Sequence, residues 1–438
     1  MKTRTSYVCQ QCGYNSGQWL GKCPGCDSWN SLVETIESFK YAKTQRLKER
    51  SGVSTNPIKL SEVIKKDTKR VSCGVGEFDR VLGGGIVPGQ VVLLAGEPGI
   101  GKSTLLLELV ARLGGLYVSG EESPQQVKIR ADRLEISSEK ISILPETDVD
   151  NICVQIETAR PNLVIIDSIQ TITTEDLTGI AGAVGQVRES AFRLVRTAKS
   201  LNIPLFIVGH VTKEGTIAGP KVLEHTVDTV LQLEGEKGLQ LRILRSNKNR
   251  FGPTDEIGIF EMADLGMKEV KNPSEIFIGE SPSGEKAGSV IVATLEGTRP
   301  LLVEVQALVV STPLQIPRRV VNGVDYNRVQ LILGVLQKHL RLPLATFDIY
   351  VNVSGGIKID TPAADLGIAL AIISSFKNIP LAKKTVAIGE IGLLGEVRRV
   401  LGLKLMEKES KRLGYPHLVT PESYPSLVAI NAKFFKTS

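Results

Sequence analysis

No apolar run in this sequence of 438 residues reaches the roughly 18 residues that a membrane-spanning helix needs. The first residues also lack an apolar stretch before Cys9, so we expect no secretory signal. Apolar residues make up 42% and charged residues 23%, the balance of a soluble globular protein, and the length exceeds one ordinary core. We therefore expect a cytoplasmic protein of two or three domains with no membrane partner.

Most of the chain carries no excess of basic charge. The net charge is +6, yet residues 1–70 hold 13 Lys and Arg against 6 Asp and Glu, and the remainder holds 40 against 41. One interpretation of this asymmetry is an acidic partner, with nucleic acid as the leading candidate. The alternative is a solvated, flexible linker.

Cysteine is scarce, and four of the six cysteines lie within 18 residues as two Cys-x2-Cys pairs. These are Cys9, Cys12, Cys23 and Cys26. Four thiolates at this spacing predict a closed, structural zinc site, and a cytoplasmic location disfavours the alternative of two disulfides. The only two tryptophans, Trp19 and Trp29, fall in the same unit. We expect them to cover the cysteine pairs, with a partner-binding surface as the alternative.

Changes of composition divide the chain into four parts. We predict a zinc finger at 1–30, a polar linker at 31–57, an α/β domain at 58–271 and a second α/β domain at 272–438. The last boundary is marked by Asn272-Pro273 and a Pro/Gly-containing stretch after it.

Short β-branched segments alternate with amphipathic ones in the third part. The strand candidates are 91–95, 116–119, 163–167, 205–209, 229–233 and 241–244. The clearest helix covers 184–200, where apolar residues recur every three or four positions. This alternation predicts a mostly parallel sheet with helices on both faces.

An eight-residue run with fixed glycines follows the first of these strands. It reads Gly96-Glu97-Pro98-Gly99-Ile100-Gly101-Lys102-Ser103 and leads into a predicted helix that begins at Thr104. The pattern and its context predict a loop whose backbone N–H groups cradle the phosphates of ATP. Lys102 is expected to meet the β- and γ-phosphates, and the Ser103 hydroxyl to ligate Mg²⁺.

Carboxylates end two further strand candidates. Asp167 closes an apolar strand, and we expect it to hold the Mg²⁺ shell at the ligand-facing edge of the sheet. Glu121 and Glu122 follow another strand, where one carboxylate could orient the attacking water. We prefer Glu121, although the sequence does not separate the two, and a helix cap or surface pair is the alternative.

Taken together, the motifs resemble the bacterial RadA (Sms) family of DNA repair ATPases from end to end. Besides the cysteines and the phosphate loop, the resemblance rests on four runs. They are Gly83-Gly84-Gly85-Ile86-Val87-Pro88-Gly89, Val208-Gly209-His210-Val211-Thr212-Lys213-Glu214-Gly215, Ala218-Gly219-Pro220-Lys221 and Lys248-Asn249-Arg250-Phe251-Gly252. The resemblance implies a RecA-like core in a hexameric ring and DNA-stimulated ATP hydrolysis. It also implies branch migration on single-stranded and branched DNA beside the RecA recombinase.

The resemblance also implies roles for particular residues. Lys248 and Arg250 would reach the γ-phosphate held by a neighbouring subunit, and direct binding to DNA phosphate is the alternative. His210 matches the position that senses the γ-phosphate. The loops 171–183 and 212–221 match the loops that line the ring and bind DNA.

The last part is similar to the proteolytic domain of Lon, with one departure. Ala363 stands where that protease has its serine, whereas Lys404 falls at the position of its base. A base without a nucleophile cannot cleave a peptide covalently, so we expect a ring-forming, DNA-binding scaffold and no protease. Its candidate phosphate contacts are Arg318, Arg319, Arg328, Lys358, Arg398 and Arg399.

The sequence is also compatible with one other class of function. A regulator of the KaiC type would use a related ATPase core to act on protein rather than on DNA.

Overall fold

The computed structural model describes residues 3–9, 14–25, 27–38, 69–210, 220–235, 240–278 and 286–435. The chain divides into two compact units, one ending at Glu269 and the other beginning at Val270. None of the helices in these ranges is long and apolar enough to cross a membrane. The predicted zinc ligands Cys12 and Cys26 and the predicted loop residues 212–219 lie outside the described residues.

The N-terminal residues form a small antiparallel sheet with β1 in its centre. Its strands are β1 (Thr3–Cys9), β2 (Asn15–Ser16) and β3 (Leu32–Ser38). The linker prediction for 31–57 was wrong for β3, which pairs with β1 along its whole length. The polar composition of β3 does not indicate a strand. The strand forms because its backbone pairs with β1 and because Leu32 is buried.

A nine-stranded sheet forms the rest of the first unit, in the order β12-β11-β10-β9-β4-β8-β7-β5-β6. In chain order the elements are α1 (Gly76–Leu82), β4 (Val91–Gly96), α2 (Lys102–Leu113), β5 (Gly115–Ser119), α3 (Pro124–Arg133), β6 (Ile141–Leu144), α4 (Val149–Ala159), β7 (Val164–Asp167), α5 (Val184–Leu201), β8 (Leu205–His210), β9 (Thr229–Glu234), β10 (Leu241–Asn249), β11 (Ile257–Ala263) and β12 (Gly266–Glu269). The six strands from β9 to β6 are parallel, and β10 to β12 extend the sheet in antiparallel pairing. The predicted mostly parallel α/β fold is confirmed.

Helices cover both faces of this sheet because its central strands are apolar on both sides. Val92 and Leu94 of β4 pack in one core with the apolar side chains of α2, and Val91 and Leu93 pack in the other with those of α5. Successive residues of a strand point to opposite faces, so one apolar strand joins two cores. The carboxyl ends of the parallel strands therefore meet along one edge.

Local signals explain where the helices begin and end. Ser123 and Gln126 form a reciprocal capping box at the start of α3, and the Asp148 side chain accepts the Asn151 N–H of α4 at 2.9 Å. Asn202 closes α5 in the left-handed conformation.

The second unit is a separate α/β structure around a six-stranded sheet of order β15-β16-β14-β13-β17-β20. Its elements are α6 (Pro273–Phe277), β13 (Ser289–Glu296), β14 (Arg299–Ser311), β15 (Arg319–Asn322), α7 (Tyr326–Leu340), β16 (Phe347–Val353), α8 (Asp365–Lys377), β17 (Thr385–Ala387), β18 (Glu390–Ile391), β19 (Val397–Arg398), α9 (Leu403–Arg412), β20 (His417–Val419) and α10 (Leu427–Phe434). Helix α8 is buried along most of its length.

Candidate functional site

The predicted phosphate loop joins the end of β4 to the start of α2. Gly101 takes φ 113°, and a Cβ there would lie 2.7 Å from the terminal methyls of Met262 and Met267. The positive φ requires glycine, and any side chain there would also displace these two flexible methyl groups. The structure assigns no side-chain cap to the start of α2, so its backbone N–H groups and helix dipole face the loop, as an anion site requires. Ser103 and Thr104 stand in the first turn.

Lys102 is buried beneath this loop, with only 3% of its surface exposed. Its Nζ donates to the carbonyl oxygens of Gly96 at 3.0 Å and Glu97 at 2.9 Å. Burial lowers the pKa of Lys102 to about 8, and the nearby charges of Asp167 and Glu121 oppose that shift. The loop thus holds a cation that lacks the solvation it would have in water.

Asp167 ends β7 beside the end of β5, where Ser119 is its partner in register. The phenol of Tyr117 donates a short hydrogen bond to Asp167 Oδ2. Burial raises the pKa of Tyr117, and the Asp167 charge raises it further, so the phenol remains a donor at neutral pH. Tyr117 fixes the orientation of this carboxylate. Sequence reasoning missed Tyr117, because an aromatic residue inside a strand indicates packing.

The structure separates Glu121 from Glu122. Glu121 Oε1 accepts the Ser168 hydroxyl at 2.7 Å and lies 3.9 Å from His210 Nε2, and its charge acts on Lys102. Glu122 instead pairs with Arg130 of α3. Glu121 therefore faces the loop and Glu122 does not.

His210 ends β8 at the same edge of the sheet. Burial lowers the pKa of His210 and the Lys102 charge lowers it further, which favours the neutral ring at pH 7. Its Nδ1 is buried and has no hydrogen-bond partner among the described residues. Lys102, Glu121, Asp167 and His210 thus form one cluster, although they are spread over more than a hundred positions of the chain.

The structure places Lys248 and Arg250 away from this cluster. In the ladder Asn249 pairs with Thr229, and Thr229 pairs with Val92, near the start of β4. The phosphate loop leaves β4 after Gly96, so the two sites are separated by about 13 Å along the strand direction alone. The run 248–252 therefore lies at the edge of the sheet formed by the amino ends of the parallel strands. The phosphate loop of the same chain lies at the edge formed by their carboxyl ends.

Part of this run is needed for packing. The Asn249 amide donates to Leu82 O at 3.3 Å and to Pro253 O at 3.4 Å. A Cβ on Gly252 would lie 2.9 Å from Asn249 Nδ2 and 3.2 Å from Gly83 Cα. Two glycine-containing runs that are far apart in sequence therefore meet backbone to backbone.

Arg250 is exposed, and its guanidinium lies beside a buried carboxylate. Arg250 Nη1 is 3.4 Å from Asp228 Oδ1, which also accepts Lys199 Nζ at 2.8 Å. The other oxygen, Oδ2, accepts the Val91 N–H at 3.1 Å. Sequence reasoning missed Asp228, since nothing in the local pattern distinguishes this acid from a turn residue.

Of the two predicted DNA loops, 171–183 is described. The buried Gln186 side chain accepts the Thr174 N–H and donates to Thr174 O at 3.1 Å and Leu177 O at 2.9 Å. These bonds shape the loop and leave Ile180 exposed at 83%.

In the N-terminal unit, Cys9 and Cys23 are fully buried in one cluster with Leu32. The Gly25 N–H points at Cys23 Sγ at 3.4 Å. Clustered thiols with a backbone N–H directed at sulfur fit a thiolate metal site. The expectation that the tryptophans cover the cysteines was wrong, because Trp19 is 55% and Trp29 is 74% exposed.

In the second unit, Ala363 is buried in an apolar core and Lys404 is exposed on α9. Most of the predicted phosphate contacts already have internal partners. Arg328 pairs with Asp365 and Glu390, Arg398 with Glu396, Arg399 with Glu422 and Lys358 with Asp360, and Arg319 donates to carbonyl oxygens.

Comparisons with known proteins match nearly the whole chain. The "DNA repair protein RadA" of Halalkalibacterium halodurans is 51% identical over 427 residues, that of Bacillus subtilis 50% over 428, and that of Listeria monocytogenes 47% over 427. Each match covers 96% of this chain and 93% of the relative.

Family profiles match three segments. A rubredoxin metal binding domain matches residues 7–34, a family of unknown function matches 70–243, and the subunit ChlI of Mg-chelatase matches 327–424. Among solved structures, a KaiC-like protein of Pyrococcus horikoshii is 21% identical with a TM-score of 0.40, and the RadB recombinase is 22% identical with 0.37. Both matches cover 46% of this chain and 99% of the other.

Proposed function

This chain belongs to the RadA family of DNA repair proteins, and on that premise we propose that it is an ATPase of recombinational DNA repair whose turnover is stimulated by DNA. The observation that carries the proposal is the buried Lys102 ammonium over the loop carbonyls, facing Glu121 and Asp167. A desolvated cation beside helix N–H groups favours a polyanion such as a triphosphate.

Residues 96–104 bind the phosphates through the backbone N–H groups of the loop and the start of α2, and Lys102 stabilises the charge on the transferred phosphoryl group. Glu121 orients the attacking water, since it is the carboxylate that faces the cluster. His210 lies beside Glu121 and would sense whether a γ-phosphate is bound. It would transmit that difference to the loop after β8.

We propose that the chain binds two metal ions. Ser103 and Asp167 would hold Mg²⁺, which neutralises phosphate charge when it is bound with the nucleotide. Cys9, Cys12, Cys23 and Cys26 would hold a zinc ion whose role is structural, because four thiolates leave no open position.

We propose that Arg250 acts on the nucleotide of a neighbouring subunit. Its position at the far edge of the sheet favours action in trans over action on its own site. We further propose a closed ring of six subunits, RecA as the protein partner, and branch migration on single-stranded or branched DNA as the task. The cell compartment would be the cytoplasm.

The second unit would support assembly and contact DNA, and it would not cleave peptides. Ala363 is buried in an apolar core, whereas Lys404 is exposed on α9. Ala363 carries no hydroxyl, so Lys404 has no nucleophile to activate at that position.

The proposal is tested by steady-state ATP hydrolysis with and without single-stranded DNA. Wild-type turnover should rise when DNA is added. Lys102→Ala should abolish ATP hydrolysis with and without DNA, because the phosphates lose their buried counter-charge. Lys128→Ala removes an exposed lysine paired with Asp132 and serves as the control that should hydrolyse ATP normally.

Two results would contradict the assignment. Normal turnover by Lys102→Ala would show that ATP is not hydrolysed at this loop. ATP hydrolysis that is indifferent to DNA, but changes when a protein partner is added, would favour the KaiC-type regulator.

A further inference from the structure

We propose that Ser168 is a positioning residue for Glu121. Its hydroxyl occupies one oxygen of that carboxylate and leaves the other oxygen to accept a hydrogen bond from the attacking water. The proposal rests on the proposed function, because it requires that Glu121 orients the water for ATP hydrolysis. It gives separate tasks to the two oxygens of one side chain.

The hydroxyl of Ser168 is directed at Glu121. Its Oγ donates to Glu121 Oε1 at 2.7 Å, and a serine hydroxyl has one proton to donate. A hydrogen bond to an ionised carboxylate is roughly twice as strong as one between neutral groups. The single proton of Ser168 is therefore used to hold Glu121.

The difference in burial between the two side chains separates their roles. Ser168 has no exposed surface, whereas 52% of the Glu121 side chain is exposed. A hydroxyl without exposed surface cannot reach a phosphate or a metal ion that enters from solvent. Ser168 must therefore act through Glu121 and not on the nucleotide.

The neighbours of Glu121 meet only one of its two oxygens. The Ser168 hydroxyl donates to Oε1, and His210 Nε2 lies 3.9 Å from the same atom. A carboxylate can accept hydrogen bonds on both oxygens. We therefore assign the attacking water to Oε2.

The segment that carries Ser168 also holds the backbone before Glu121. The Gly120 N–H donates to Asp167 O at 3.0 Å. A Cβ on Gly120 would lie 2.0 Å from Thr171 Oγ1, which itself donates to Ser168 O at 2.8 Å. Residues 167–171 thus fix Glu121 by its main chain as well as by its side chain.

This arrangement matters for the rate of hydrolysis more than for ATP binding. A carboxylate orients water only within about 2.6–3.2 Å, and an exposed glutamate without a partner would rotate among several side-chain conformations. The phosphates are assigned to residues 96–104, which Ser168 does not contact through its hydroxyl. Loss of the hydroxyl should therefore lower kcat and leave ATP affinity unchanged.

The test is Ser168→Ala in the full-length protein. The kcat and KM for ATP are measured with saturating oligo(dT), and affinity is measured with the slowly hydrolysed analogue ATPγS. The kcat should fall about 5- to 50-fold, and the ATPγS affinity should stay within about twofold of the wild type. Retained affinity also shows that the variant is folded.

Ser190→Ala is the matched control. Ser190 is a fully buried serine of the same domain, and its Oγ donates to Ile172 O at 3.4 Å instead of to a carboxylate. Removal of this hydroxyl should leave kcat within about twofold of the wild type. A general effect of deleting a buried serine hydroxyl would lower kcat in both variants.

A double-mutant cycle with Glu121→Gln tests whether Ser168 works through Glu121. Glu121→Gln alone should be strongly impaired, because an amide cannot serve as the base. Adding Ser168→Ala to it should lower kcat by less than about twofold more, since the residue to be positioned is already lost.

Four outcomes would overturn the inference. An unchanged kcat in Ser168→Ala would show that the hydrogen bond is not needed, and an equal loss in Ser190→Ala would show a structural effect. A matching loss of ATPγS affinity would place Ser168 in nucleotide binding, and multiplied losses in the cycle would separate it from Glu121. Failure of the proposed function is distinct, because the wild type would then hydrolyse no ATP or Glu121→Gln would hydrolyse it normally.

Discussion

Single side chains carry most of the chemistry that can be assigned here. Lys102 begins α2, Asp167 ends β7 and Glu121 follows β5, and each side chain is held at the loop by a local contact. The loop was predictable because all of its parts are consecutive in sequence. The choice between Glu121 and Glu122 was not, since it depends on Ser168 and Arg130, which no local pattern connects to β5.

The lowered pKa of Lys102 predicts a proton uptake on ATP binding. With a pKa of about 8 in the unliganded site, part of the Lys102 population is neutral at pH 8.5, and bound phosphates should restore its proton. ATP affinity should therefore fall as the pH rises above 8. Binding at pH 8.5 should take up more than about half a proton, and binding at pH 7 much less.

Calorimetry of ATP binding in two buffers of different ionisation enthalpy measures this uptake. Binding heats that are independent of the buffer at both pH values would show that Lys102 is charged throughout. The same titration with Lys128→Ala is the control, because Lys128 is exposed on α3.

At the level of elements, the sheet explains which strands could be predicted from the sequence and which could not. The strands β4, β5, β7, β8 and β9 were predictable because burial on both faces makes them continuous apolar runs. The strands β3 and β6 were missed because their mixed composition indicates neither class, and β6 is only partly buried. The exposure of Trp19 was missed because composition does not say which face of a small sheet is covered.

The contact between Gly83 and Gly252 predicts an element-level effect of one methyl group. Gly252→Ala should lower the free energy of unfolding by about 1–3 kcal/mol, because the Cβ would meet Asn249 and two backbone atoms. Gly185→Ala is the matched control, since its Cβ meets nothing within 4 Å. Gly185 is the second residue of α5, so that change should alter the free energy of unfolding by less than about 1 kcal/mol.

Urea titration followed by circular dichroism compares the two variants with the wild type. A midpoint for Gly252→Ala equal to that of the wild type would mean that the two loops can separate without cost.

On the scale of the whole molecule, the position of Arg250 makes a prediction about mixed assemblies. Lys102→Ala and Arg250→Ala are each expected to be nearly inactive. Mixed in equal amounts and allowed to exchange subunits, they should regain about one quarter of wild-type turnover, because one interface in four joins an intact loop to an intact arginine.

Mixing Lys102→Ala with the double variant Lys102→Ala/Arg250→Ala is the control and should stay inactive. If the first mixture also stays inactive although the subunits have exchanged, Arg250 acts within its own chain or not on the nucleotide.

The separation of the phosphate loop from Arg250 across the nine-stranded sheet has one more consequence. If Arg250 acts in trans as proposed, each chain supplies the phosphate loop of one site and the arginine of another, so an isolated chain should hydrolyse almost no ATP at any ATP concentration. At saturating ATP, dilution of the protein should then lower the rate of hydrolysis per chain. The rate per chain would therefore measure the fraction of chains that are assembled.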